Sequence, residues 1–224
     1  MKLRIASLSL LALGLMLVAV PAAAQDIYNN GPINGNTDAW PINFGFITSD
    51  TFNVTNSGTT ITGANFGIWL FPGDILSSAE LSITSQENGG TSYFNQTVNF
   101  TAVSCATNQF GDFNICNEST SFNGPTLNSG TYWINLQNAS VPSGDPVFWD
   151  ENSGAGCTSP GCPSSASESE VGTIPSESFT VLGTQSSSTT TSTTTTGTVP
   201  EPSSILLFGS GILGLANVVR RKLF

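Results

Sequence analysis

Any chemistry in this chain falls to cysteines, carboxylates and indoles, because the usual agents of acid–base and nucleophilic catalysis are missing. There is no histidine, and all five basic residues lie toward the two ends: Lys2 and Arg4, then Arg220, Arg221 and Lys222. Between Gln25 and Val199 stand fourteen of the fifteen carboxylates and no Lys, Arg or His. Ser-His-Asp and Cys-His nucleophile systems, imidazole zinc sites and Schiff-base lysines cannot be built from that inventory. Two carboxylates suffice for glycosidase chemistry, but no cationic side chain is at hand to hold a substrate, so the body is expected not to be an enzyme. A surface of one charge sign cannot neutralise phosphates, which excludes nucleic acid as a partner.

Cys105, Cys116, Cys157 and Cys162 form an even set. In an exported chain an even set is expected to be oxidised. Of the three pairings, Cys105–Cys116 and Cys157–Cys162 each close a local loop. "CATNQFGDFNIC" reads as a hairpin with Gly-Asp at its turn, and "CTSPGC" holds Ser-Pro-Gly for a tight bend. Neither pair has the Cys-x-x-Cys spacing of a structural zinc site. No cofactor is implied.

Two further constellations could bind a ligand. Trp133 alternates with Thr131, Asn135 and Gln137, and Trp149 stands beside Asp150 and Glu151. An indole flanked by amides and hydroxyls is the chemistry of a glycan platform. The alternative is that both rings bury against loops or a second sheet. Asp145, Asp150 and Glu151, with Asp26, offer oxygen ligands of the kind calcium takes, or are solvated turn residues; no Asp-x-Asp-x-Asp-Gly loop is present. An all-acidic surface repels polyanions, so a glycan partner is expected to be neutral or bridged by a divalent cation.

The elements that must position these residues show period-two alternation cut by Gly, Pro, Asn and Ser, with almost no helical period. Phe66, Ile68 and Leu70 share one face, as do Ala79, Leu81 and Ile83; Phe94, Val98 and Phe100; and Tyr132, Ile134 and Leu136. Shorter strands are predicted at Asp26–Asn30, Trp40–Phe46, Thr51–Val54, Pro146–Asp150 and Ser178–Leu182. Strands with one apolar face need a second sheet to cover it. Residues 25–182 are therefore expected to form an antiparallel β-sandwich, jelly-roll-like, with a closed barrel as the alternative.

Both ends carry export features. Met1–Arg4 is a positive leader, Ile5–Val20 is apolar, and Pro21–Ala24 supplies small residues, a secretory signal peptide over residues 1–24 with cleavage between Ala24 and Gln25. Residues 183–198 are Ser/Thr-rich and without apolar side chains, a disordered linker. Ser203–Val219 is uncharged; as a helix it would span ~25 Å, at the short limit for a bilayer. Arg220 and Arg221 follow at once and set the last residues on the cytoplasmic side.

The order Val199-Pro200-Glu201-Pro202, apolar helix, arginine cluster resembles the PEP-CTERM sorting signal of Gram-negative exported proteins. The resemblance implies that Pro200, Glu201 and Pro202 are the motif an exosortase reads, with Arg220 and Arg221 as the stop. It also implies processing partners, signal peptidase and exosortase, and a transient anchor in the inner membrane before release to the cell surface or outside. The body is similar to exported β-sandwich proteins with such tails, in "YNNGP" and "SGDPVFWDENSG". Proteins with this signal accompany exopolysaccharide and biofilm production. The likeness thus implies either a structural matrix component or a surface-displayed carbohydrate-binding module.

Overall fold

Alternating β-branched and aromatic side chains fit a pleated, half-buried surface, and the chain uses this repeatedly. A computed structural model describes residues 24–108 and 111–185. Among them there is no helix, and fourteen strands follow in order. They are β1 (Gln25–Asn29), β2 (Asp38–Pro41), β3 (Ile47–Val54), β4 (Thr59–Leu70) and β5 (Ser78–Gln86). Then come β6 (Gly89–Asn99), β7 (Thr101–Thr107), β8 (Asn114–Ser121), β9 (Thr126–Leu127) and β10 (Gly130–Ser140). The last are β11 (Phe148–Glu151), β12 (Ala166–Glu168), β13 (Gly172–Ile174) and β14 (Phe179–Gln185).

Every pairing is antiparallel, and the strands divide into two sheets. An eight-stranded sheet runs β1-β14-β4-β11-β2, with β8 and β9 on the other edge of β4 and β7 outside β8. A six-stranded sheet runs β13-β12-β3-β10-β5-β6. The inward rows of the two sheets close on each other. Phe52, Leu81, Ile83, Ile134 and Leu136 come from the second sheet, Ile61, Phe66, Ile68, Leu70 and Val181 from the first, and all are buried. This is the expected all-β sandwich of two sheets, not a closed barrel.

The chain crosses between sheets at Phe100, between β6 and β7. Its backbone N–H donates to the Ser77 carbonyl at 3.2 Å, and its ring meets Phe66 edge-on at 6.0 Å. The crossing explains why the long alternation from Ser92 to Val103 is two strands, one per sheet.

The predicted boundary at Leu182 is three residues short. β14 continues through Gln185, pairing Gly183 with Ile61 and Gln185 with Thr59. Gly183 reads as a breaker, yet here it is a close-approach residue: a Cβ would fall 2.5 Å from the Thr60 carbonyl and 2.8 Å from Ile27. The remainder of the predicted linker, the signal segment before Ala24 and the helix at 203–219 lie outside the described residues.

Candidate functional site

The Trp133 row lies where the alternation places it, on the outer face of the second sheet. Trp133 is half-buried and stands between Thr51 on β3 and Thr84 on β5. Asn135, two residues on, is only 2 % exposed. Its Nδ2 donates to Ser82 Oγ at 3.0 Å and to Thr84 Oγ1 at 2.9 Å, while its Oδ1 accepts from Ser49 Oγ at 2.6 Å. The backbone N–H of Asn88, at the tip of the β5–β6 hairpin, reaches the same oxygen at 3.3 Å. The hairpin tip therefore covers Asn135 and uses up its hydrogen bonds. Gln137 is half-buried and, with Asn138 and Asn95, bonds Glu80; the Asn138 amide, 2.9 Å away, is the main group holding that carboxyl below its ordinary range.

Trp149 is no part of a platform. It is 0 % exposed, edge-on to Phe66 at 5.2 Å and to Phe179 at 5.6 Å, and its Nε1 donates to the Ser178 carbonyl at 2.9 Å. Asp150 and Glu151 are buried as well, so they are not solvated turn residues, and donors of the fold occupy their oxygens. Asp150 accepts from Trp69 Nε1 at 2.6 Å and from the Gly35 and Asn34 backbone amides at 2.9 Å each. Glu151 accepts from Trp40 Nε1 at 3.0 Å and Ser153 Oγ at 2.8 Å. The β1–β2 connection lies over β11 and closes its outer side. Asp26 and Asp145 stay exposed and are not brought to them, and no metal-binding group of three or more acidic or cysteine side chains forms among the described residues.

Both cysteine pairs form as local spacing predicts. Cys105–Cys116 crosses β7 and β8 at directly paired positions, and Cys157–Cys162 closes the β11–β12 connection. The Tyr28 hydroxyl lies 3.8 Å from Cys157 Sγ.

The sequence reading missed a set of buried acids. Asp50 faces inward beside Ile134 and Ala166; it accepts from the Thr51 N–H at 2.7 Å and the Glu177 N–H at 2.8 Å. Burial pushes its carboxyl up to about 7 against those hydrogen bonds. Glu177 is 0 % exposed, and both carboxylate oxygens lack a partner among the described residues. Burial raises it well above the carboxylate range, and repulsion from Asp50, Glu151, Asp150 and Asp38 adds to the shift. Glu118 is also buried with both oxygens unpaired, and burial takes it to about 7. In a body without cations, burial without donors favours the neutral form of such groups. The signal that could have found Asp50 is the alternation itself, since counting back two from Phe52 places it inward.

Pro200, Glu201, Pro202, Arg220 and Arg221 lie outside the described residues. Residues 198–222 match the family model of the PEP-CTERM protein-sorting motif. The motif makes this an exported, exosortase-sorted surface protein with a membrane-anchored precursor. No curated protein matches the chain.

Proposed function

We propose that the sorted body is a non-catalytic component of the extracellular matrix of a Gram-negative cell, associated with exopolysaccharide of a biofilm type. The observation that carries this reading is the pairing of a sorting motif at 198–222 with a β-sandwich body from which every imidazole, amine and guanidinium has been left out. Such a body has no activated nucleophile and no cation for a substrate anion. It offers hydroxyls, amides and unpaired negative charge, suited to a hydrated neutral polymer and not to phosphate or polyuronate. The acids nearest to catalytic character, Asp50 and Glu177, are closed off inside the sandwich.

Cell fractionation tests the reading. The surface form should lack Phe224 by intact mass, and it should co-sediment with the exopolysaccharide fraction. Replacing Pro200, Glu201 and Pro202 should leave an uncut precursor in the inner membrane. A surface form that keeps Phe224 contradicts processing, and a mature form that stays free of the polysaccharide contradicts the matrix role. Hydrolysis of a glycoside or ester by the purified protein, lost on changing a single carboxylate, overturns the non-catalytic assignment.

A further inference from the structure

The outer face of the first sheet carries a groove that the sequence does not announce. Asn65 on β4 lies beside Thr180 on β14, and one pair further up the sheet Asn117 on β8 lies beside Gly67. The chain through Pro32 and Ile33 and the tip at Gly156 and Thr158 form one wall, and Ser104 on β7 forms the other. Two cavities of about 580 Å³ and 320 Å³ share Ile33, Ser104 and Asn117, so they adjoin along the same face.

Three features mark it as a built site. First, no charged side chain lines either cavity, although the body carries fourteen carboxylates. Second, five of its polar side chains are unspent: those of Asn65, Asn117, Thr180, Ser104 and Thr158 make no hydrogen bond to a described residue, whereas Asn29, Asn34 and Asn108 on its margins are engaged by neighbouring backbone amides. Ser178 also borders the first cavity, and its Oγ is buried without a partner beside the notch left by Gly67. Third, both walls are stapled. Cys105–Cys116 ties β7 to β8, and Cys157–Cys162 closes the loop bearing Thr158, which Ser159 Oγ anchors by accepting the Asn29 N–H at 2.7 Å. The two carboxylate oxygens of Asp150 hold the chain at Asn34 and Gly35 by accepting from their backbone N–H groups. Fixed walls reduce what binding costs in ordering.

We infer that this groove binds a neutral polysaccharide chain, with Asn65 and Asn117 reading its hydroxyls and Thr180, Ser104 and Thr158 completing the contacts. Amide and hydroxyl side chains donate and accept at once, as a sugar hydroxyl does, and Ile33 and Pro32 supply apolar contact for ring C–H faces. The surrounding carboxylates disfavour a polyanion in the same groove. The inference rests on the matrix reading for the presence of such a polymer, but its site is testable without it.

Affinity electrophoresis of the mature protein recovered from the cell surface, run with laminarin, mannan or a soluble cellulose oligomer, is the test, with alginate as the anionic comparison. At least one neutral glycan should retard the protein and alginate should not. Asn65→Asp and Asn117→Asp, both on half-exposed side chains, should each weaken retardation roughly tenfold, the equivalent of ~1.4 kcal/mol, while Trp133→Ala leaves it unchanged. Binding to none of the three neutral glycans, equal binding by the two Asp variants, or equal retardation by alginate overturns the inference. If both variants co-sediment with native matrix as well as the parent, the matrix role stands and the groove is not its site. If the parent fails to co-sediment but binds a neutral glycan through Asn65 and Asn117, the groove stands and the matrix role falls.

Discussion

Strands β10 and β11 set a tryptophan among polar side chains in nearly the same way, and the fold treats them in opposite ways. β10 is central in the second sheet. Its inward row, Ile134 and Leu136, fills the core, while Trp133 remains partly open on the outer face. β11 is only four residues long and has no open side. Trp149 points into the core, and the β1–β2 connection roofs the other face by donating two backbone amides to Asp150. Even on β10 the open row is interrupted, since the β5–β6 hairpin tip covers Asn135. Polar side chains on a strand report that hydrogen bonds are required, and a loop can supply those as well as water can.

Substitution at the two indoles gives the widest separation. Trp149→Ala should cost about 3–5 kcal/mol, chiefly from a large core cavity. Trp133→Ala should cost less than about 1 kcal/mol, as partly exposed positions do. Urea unfolding of both variants measures the gap, and equal losses would refute the opposite orientations.

The roof over β11 is next in size. Asp150→Ala strips the acceptor from Trp69 Nε1 and from the Asn34 and Gly35 amides. With unpaired buried groups costing ~1–3 kcal/mol, a total of roughly 2–4 kcal/mol is expected. Hydrogen exchange should quicken at Asn34 and Gly35, whereas Asp145→Ala, an exposed site, should change neither stability nor exchange.

Reduction should have a smaller effect on the sandwich. Each local disulfide contributes ~2–3 kcal/mol on the loop-entropy model. Peptide mapping without reduction should link Cys105 to Cys116 and Cys157 to Cys162, and the reduced protein should keep its β circular dichroism while its glycan groove loosens. Collapse of the β signal on reduction would mean that the staples hold the core.

The smallest effect per residue has an unusual sign. A carboxyl raised in the native state keeps its proton where the unfolded chain has lost it, so the unfolded state binds fewer protons and stability falls as pH rises. The contribution of Asp50 and Glu118 is complete below the ordinary carboxylate range, near pH ~4, and is lost as pH climbs through about 7, with Glu177 continuing the decline above that. The body should melt higher at pH 4 than at pH 8. Glu177→Gln should raise stability at pH 8 and flatten the profile, since the neutral amide carries no charge to bury. A melting temperature that rises from pH 4 to pH 8 would show that these acids are ionised in the fold.

Much of the sandwich was legible because alternation is a local property. Side chains on a strand switch faces at each residue whatever lies around them. Phe66, Ile68 and Leu70, or Leu81 and Ile83, therefore reveal their shared inward face without knowledge of their partners. Strand β12 and the part of β8 beyond Cys116 escaped because Ser, Thr, Asn and Glu dominate them, and Glu118 and Glu168 are buried there all the same; β13, Gly172–Ile174, is too short to show alternation. Asp50 obeyed the alternation of Phe52 and Val54 but was masked by its charge.

Some properties follow from the residue inventory alone. The absence of any cation from Gln25 to Val199 excludes salt bridges within the body, and the order of proline, apolar run and arginine near residues 198–222 carries the sorting motif. The pairing of the cysteines follows from short loop lengths. Only the tertiary structure decided which polar groups stay free. Asn34 meets Asp150 and Asn30 meets Ser176 across more than a hundred residues of chain, and neither meeting leaves a trace in local spacing. The physical reason is that facing direction is set by adjacent peptide units, whereas coverage, and with it the protonation of Glu177 and the open amides of Asn65 and Asn117, is set by whichever distant segment folds back across the sheet.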